Sequence, residues 1–218
     1  MAKGLDILYE DEDCLVINKP SGLPTQGGAG IRVSLDDLLS ELREPRPLLV
    51  HRLDKDTSGT ILVAKNRASA ARLARLIAGK EFKKIYLALC WGIPKSPDGR
   101  IEEPLSVKGV EKKSLTFYRT ISQNGEYALL ELELATGRIH QIRRHLALLG
   151  NPILGDDKYG DFMLNKKLRK EQGLRHLLLH AYRLIGDPGH TPSLDVKAPL
   201  PSYFNNFMEN LSPPLHLA

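Results

Sequence analysis

The chain has 218 residues, 42% hydrophobic and 26% charged, a composition typical of a globular protein that buries a sizeable core. No apolar run reaches the roughly 18–20 residues of a membrane span, and the N-terminal residues lack the apolar core of a signal peptide. We therefore expect a cytoplasmic protein that does not enter a membrane, folded as a single domain over residues 1–218.

The net charge of +5 is modest, but the bases are clustered. Seven lie within Lys65–Lys84, and two further basic stretches lie at Arg138–His145 and Lys166–Arg175. Clusters of this kind either bind a polyanion, most often nucleic acid in the cytoplasm, or form separate solvated helix faces.

The first 80 residues predict a hairpin, two helices and a buried strand. Turn residues, alternation and helix caps set the bounds. The predicted elements are strands at Ile7–Tyr9 and Leu15–Ile17, a helix from Ser34 to about Leu42, a strand at Thr60–Ala64 and a helix from Asn66 through Ile77.

The rest of the chain predicts more antiparallel strands and three helices. One of these helices carries an apolar stripe of Ile139, Ile142, Leu146 and Leu149 and ends at Gly150. The other predicted elements are strands at Lys84–Trp91, Leu115–Ile121, Tyr127–Leu134, Leu177–Leu184 and Leu194–Val196, helices at Leu164–Glu171 and Ser202–Leu211, and a Pro/Gly loop at Gly92–Glu103. The tally favours an α+β fold in which helices flank a mixed, mostly antiparallel sheet of about eight strands.

The segment His51–Gly59 is the candidate active site. It holds two carboxylates, two bases, a histidine and two hydroxyls directly before the apolar strand Thr60–Ala64. Charged side chains near a core must be paired, so the presence of four of them beside an apolar strand has to be explained. Either the segment carries out chemistry or it is a charged loop in solvent.

Two residues further along the chain stand out for their positions. Tyr86 is the large polar-tipped residue on a strand face that it shares with Ala88 and Cys90, so it either projects into a cavity or is a core tyrosine with a satisfied hydroxyl. Arg143 borders the apolar stripe of its helix, and a guanidinium at the edge of a core needs an anionic partner.

Other chemistries fit the residues less well. His51, Asp54 and Ser58 are too close in sequence to converge as a hydrolase triad, and no Gly-x-Ser-x-Gly elbow is present. Asp54 and Asp56 could imitate a glycosidase pair, but aromatic residues are few. The histidines lack the spacing or the third ligand of a metal site, and Cys14 and Cys90 are expected to be buried free thiols.

Several motifs taken together resemble the RluA family of RNA pseudouridine synthases, from about residue 7 to residue 200. They are Asn18-Lys-Pro-Ser-Gly, His51-Arg-Leu-Asp-x-x-Thr-Ser-Gly59 with Ala64-Lys, Lys84-x-Tyr86, Thr136-Gly-Arg-x-His-Gln-Ile-Arg143-x-His145, Gly150-x-Pro-Ile-x-Gly-Asp156, Tyr159-Gly and Leu179-His-Ala181. Many members also carry a small N-terminal RNA-binding domain, which we expect this chain to lack, either as a naturally minimal member or as a catalytic fragment.

The resemblance implies the pseudouridine synthase fold and isomerisation of uridine in RNA without cofactor or metal. It implies that Asp54 is the essential aspartate, as nucleophile or base, that Tyr86 stacks on the target base, and that Arg143 pairs with the aspartate. Arg52 is expected to fill the gap left by a flipped-out base. Arg138, Lys65 and Lys84 are expected to contact phosphates.

The expected partner is RNA, with large-subunit ribosomal RNA preferred and transfer RNA as the alternative, and the expected state is a monomer. An RNA-binding or RNA-chaperone module without catalysis is the alternative of a different class. The presence of Asp54, Tyr86 and Arg143 together argues against it.

Overall fold

The computed structural model describes residues 5–188 and 193–217, and places them in an α+β fold of twelve strands and five helices. The helices are α1 (Leu35–Leu42), α2 (Arg67–Ala78), α3 (Gln141–Leu148), α4 (Phe162–Glu171) and α5 (Ser202–Glu209). The strands are β1 (Asp6–Glu10), β2 (Cys14–Lys19), β3 (Leu48–Leu49), β4 (Ser58–Ala64), β5 (Phe82–Trp91), β6 (Asp98–Ile101), β7 (Leu105–Val107), β8 (Val110–Lys112), β9 (Thr116–Gln123), β10 (Tyr127–Leu134), β11 (Leu179–Gly186) and β12 (Leu194–Lys197).

Ten of these strands belong to one sheet, and β7 pairs with β8 separately. The prediction of an α+β fold is confirmed, but the estimate of about eight strands was too low. The short strands β3, β6, β7 and β8 were not predicted, because two to four residues are too few to show an alternation of apolar and polar positions.

Chain contacts divide the protein into two compact units. The first comprises the chain up to Lys84 together with Ala181–Pro199, and the second comprises Ile85–His180 together with the chain from Leu200. The single domain over residues 1–218 stays a prediction.

The first unit is built on the fully buried strand β4. The predicted hairpin is confirmed, since β1 pairs antiparallel with β2, and β2 pairs with β4 in the register Val16↔Leu62. Helix α2 starts at the predicted cap Asn66, whose side chain accepts the Ser69 N–H, and it contacts β4. Leu62, Leu73 and their neighbours form the apolar core.

The second unit is an antiparallel run of strands in the order β5-β10-β9-β6. The predicted strand pair of β9 and β10 is confirmed. The predicted loop Gly92–Glu103 was wrong in part, because it contains β6, which pairs with β9. Its sequence Asp-Gly-Arg-Ile has no periodic signal, and the pairing comes from a neighbouring strand more than ten residues away.

The apolar stripe predicted for α3 was partly wrong. The helix begins at Gln141, so Ile139 lies before it and is 56% exposed, and His140 has the left-handed φ of 54°. The cause is the Gln141 side chain. Its carbonyl oxygen accepts hydrogen bonds from the Arg138 N–H and the Thr136 hydroxyl, which holds the preceding residues in a loop.

Cys14 and Cys90 are buried free thiols, as predicted. Over residues 5–188 and 193–217, no helix combines the length and apolar character required to cross a membrane.

Gly59 in β4 is a position where only glycine fits. Its φ is +108°, and an added Cβ would lie 2.2 Å from the carbonyl oxygen of Ala181. We expect Gly59→Ala to lower the free energy of unfolding by about 2–4 kcal/mol, since backbone strain and a backbone clash combine. Urea denaturation of the wild type and the variant measures this difference in the free energy of unfolding.

Gly109 provides the matched control. It also has a positive φ, +78°, but an added Cβ would meet nothing within 4 Å. Gly109→Ala should therefore cost about 1–2 kcal/mol from backbone conformation alone. Equal losses in the two variants would contradict the close approach at Gly59.

Candidate active site

The candidate aspartate lies in the loop that leads into β4. Asp54 is half-buried, and its carbonyl oxygen accepts a hydrogen bond of 3.2 Å from the Thr57 N–H, which closes a turn. The adjacent Thr57 and Ser58 are buried. The strand therefore fixes one end of the Asp54 loop, residues 51–57.

A buried lysine ties this loop to the loop that follows β2, residues 20–25. Lys19 is 0% exposed, and its Nζ donates to the carbonyl oxygens of Pro20, Leu23 and Lys55 at 2.9, 2.8 and 3.0 Å. Burial lowers the pKa of Lys19 to about 8, opposed by the nearby carboxylates of Asp56 and Asp54. A positive charge is thus built in next to the candidate aspartate.

Four further hydrogen bonds join the same two loops. They run from Gly22 N to Lys55 O at 3.0 Å, from Ser21 Oγ to Asp56 O at 2.8 Å, from Thr25 Oγ1 to Leu53 O at 2.7 Å and from Leu53 N to Thr25 Oγ1 at 3.2 Å. The residues on both sides of Asp54 are therefore held through their backbone atoms.

His51 has a structural role at the start of the Asp54 loop. Its Nε2 accepts the Leu62 N–H at 2.9 Å, which requires an unprotonated nitrogen. Burial, and then the positive charge of Lys84, lower the pKa of His51 to about 3. The neutral imidazole attaches the loop to β4.

Tyr86 lies in the second unit, on β5 opposite Leu132 of β10. It is buried, with 7% of its surface exposed. The pairing of β5 with β10 holds its backbone in place.

Arg143 also lies in the second unit and has an anionic partner, as predicted for a guanidinium at the edge of a core. Its Nε and Nη2 donate to the two carboxylate oxygens of Asp156 at 2.8 and 2.7 Å. Arg143 is 8% exposed and Asp156 is 1% exposed. The arginine keeps the pKa of Asp156 below its usual value against the effect of burial. Sequence reasoning gave Asp156 no role, although it stands in one of the recognised motifs.

Two aromatic residues adjoin this pair. The Tyr159 ring lies 5.2 Å from the guanidinium carbon of Arg143, and its hydroxyl is 3.0 Å from Nδ1 of His140. Both residues stand in the motifs that carry the resemblance, but the motifs alone indicate no role for them at the site.

The predicted RNA-contacting bases differ in their surroundings. Arg52 is exposed, and Arg138 is exposed with its Nε donating to the Lys113 carbonyl at 3.2 Å. Lys65 donates to the Glu10 carboxylate at 2.8 Å, and burial lowers the pKa of Lys84. Contact of these four residues with RNA stays a prediction.

Of the predicted catalytic residues, Tyr86 and Arg143 lie in the second unit and Asp54 lies in the first. Their convergence, and the pairing of Asp54 with Arg143, stay predictions. Among the residues that the structure describes, no three His, Cys, Asp or Glu side chains are grouped to hold a metal ion.

Known proteins match this chain along most of its length. The family model described as RNA pseudouridylate synthase matches residues 13–148. Ribosomal large subunit pseudouridine synthase C of Rickettsia bellii is 37% identical over 91% of this chain and 69% of its own, and the protein of that name from Buchnera aphidicola is 35% identical over 94% and 70%. The solved structure of human RNA pseudouridylate synthase domain containing 4 has a TM-score of 0.84 at 29% identity, covering 97% of this chain and 94% of that one.

These matches define the class as an isomerase that acts on RNA. The chain belongs to the RNA pseudouridylate synthase family. The resemblance seen in the sequence motifs and the pseudouridine synthase fold are thereby confirmed.

Replacing Lys19 tests the link between the two loops. We expect Lys19→Met to lower the free energy of unfolding by about 1–3 kcal/mol, because three carbonyl groups lose the buried ammonium group that donates to them. Lys55→Met is the control, since Lys55 contributes its carbonyl and its side chain is exposed. Urea denaturation of both variants measures the effect, and equal stabilities would contradict the link.

His51 should make stability depend on pH. Unfolded histidine binds a proton near pH 6.5, whereas folded His51 stays neutral down to about pH 3. Its contribution is complete above pH 6.5 and is lost as the pH falls towards 3. The stability advantage of the wild type over His51→Gln should shrink by about 1–2 kcal/mol between pH 6.5 and 5. A difference that does not change with pH would contradict the neutral acceptor.

Proposed function

We propose that this enzyme isomerises specific uridines in large-subunit ribosomal RNA to pseudouridine. The relatives named above as ribosomal large subunit pseudouridine synthases, which align with more than nine tenths of this chain, are the observation that carries the proposal. A cytoplasmic location and a monomeric state remain predictions from the sequence.

The reaction leaves the composition of the uridine unchanged. The bond between N1 of uracil and C1′ of ribose breaks, the base turns, and C5 bonds to C1′. The hydrogen on C5 leaves as a proton and N1 gains one. No group is transferred to or from another molecule, so the chemistry requires acid, base or nucleophilic side chains and a held base.

We assign these tasks to three residues. Asp54 acts at the sugar as nucleophile or base, Tyr86 stacks on the target uracil, and Arg143 keeps the Asp54 carboxylate ionised. The rigid setting of the Asp54 loop supports the first assignment, because catalysis needs a carboxylate held in one geometry.

Recognition of the RNA is assigned to four basic residues. Arg52, two residues before Asp54, fills the place of the flipped-out uridine. Arg138, Lys65 and Lys84 contact phosphates, which contribute affinity and salt dependence more than choice of sequence.

Asp54→Asn tests the catalytic assignment. It should abolish tritium release from RNA that carries 5-tritiated uridine and leave RNA binding within a few fold, because an amide is neither nucleophile nor base. Asp56→Asn is the control, since Asp56 is exposed and lies two residues away. An active Asp54→Asn enzyme, or an equal loss in both variants, would contradict the assignment.

The RNA target is identified by mapping pseudouridines in total RNA from a strain lacking this gene and from the complemented strain. Loss of a modified site in large-subunit ribosomal RNA supports the proposal. Loss confined to transfer RNA would replace it with the alternative substrate.

A further inference from the structure

The pair formed by Arg143 and Asp156 has a defined orientation. The two carboxylate oxygens receive Nε and Nη2, which form one edge of the guanidinium plane, at 2.8 and 2.7 Å. The Nη1 group lies outside this pair of bonds. A bidentate contact along one edge fixes the plane of the guanidinium and the direction in which Nη1 points.

The carboxylate is itself held by the turn that carries it. Oδ1 of Asp156 accepts the N–H groups of Lys158 and Tyr159 at 2.9 and 3.0 Å. The buried Asn165 accepts the Gly155 N–H and donates to the Asp156 carbonyl, each at 3.0 Å. Asp156 is therefore fixed through its side chain and on both sides of its backbone.

The turn also packs closely against the backbone of His176 at Gly155. This residue has φ of +77°, and an added Cβ would lie 2.0 Å from the carbonyl oxygen of His176. On the other side of the pair, the Tyr159 ring lies against the guanidinium, and its hydroxyl contacts His140. The arginine is thus enclosed by a carboxylate at its edge and an aromatic ring at its face.

We propose that Asp156 is a positioning residue of the reaction, acting through Arg143 by fixing the direction of its guanidinium. The inference rests on the proposed function and deepens it. Stability alone explains the arrangement poorly, because a buried ion pair adds little to stability compared with apolar side chains of similar volume. A bidentate pair instead fixes the orientation of the guanidinium. A group at the reacting centre that is misplaced by about 1 Å can reduce turnover roughly a hundredfold.

The test compares neighbouring aspartates. Asp157 is exposed and binds Arg169 at the surface at 3.0 Å, so Asp157→Asn is a matched control for Asp156→Asn. Both variants and the wild type are assayed for kcat and KM by tritium release, on the RNA fragment that contains the mapped uridine. Thermal melting is followed in parallel. We expect kcat of Asp156→Asn to fall about 30–100-fold with KM within threefold and melting above the assay temperature, and Asp157→Asn to match the wild type.

Asp156→Glu covers the case in which the amide variant does not fold. It keeps the negative charge but moves the carboxylate by about one carbon–carbon bond, so kcat should still fall several-fold in a folded protein. A folded Asp156→Asn or Asp156→Glu enzyme with wild-type kcat overturns the inference. Unfolding of both variants also overturns it, because the carboxylate would then support the fold and not the guanidinium.

The outcomes separate this inference from the proposed function. An inactive wild-type enzyme on ribosomal and transfer RNA refutes the proposed function, and with it the role of Asp156. An active wild type with an equally active Asp156→Asn refutes the positioning role alone.

Discussion

The position of the candidate catalytic loop depends on one buried ammonium group. Lys19 donates to two carbonyl oxygens of its own loop and to that of Lys55, next to Asp54. Neither loop can move away without leaving the buried charge of Lys19 short of an acceptor, which is costly. The position of Asp54 is therefore coupled to residues more than thirty positions earlier in the chain.

The structure uses a second buried cation in a different way. Lys19 is held by neutral carbonyls, so its charge remains available to act on the nearby carboxylates of Asp54 and Asp56. Arg143 is held by the carboxylate of Asp156, whose two hydrogen bonds fix the direction of the guanidinium. Lys19 thus contributes electrostatic potential within its unit. The pair with Asp156 fixes the orientation of Arg143 within the other unit.

Much of the fold could be predicted from the sequence because its long elements carry local signals. The caps Ser34 and Asn66 are examples, and each was found where expected. Prediction failed where a side-chain hydrogen bond or a distant strand decides the local structure. Ile139 fits a helical stripe by spacing, yet the Gln141 side chain holds that segment as a loop, and β6 exists because β9 lies beside it.

The candidate site likewise contains residues that the sequence predicts and residues that it does not. Asp54, Tyr86 and Arg143 could be named because their motifs are specific, and Arg143 could be expected to need an anion. The groups that hold the site could not be inferred in this way. The acceptors of Lys19 are backbone carbonyls. Every residue carries such a group, so the residue types in the sequence do not indicate which carbonyls accept. Asp156 lies thirteen residues beyond Arg143, and its turn depends on Asn165 further on. Spacing along the chain does not encode such contacts, because they form only when separate turns fold against each other.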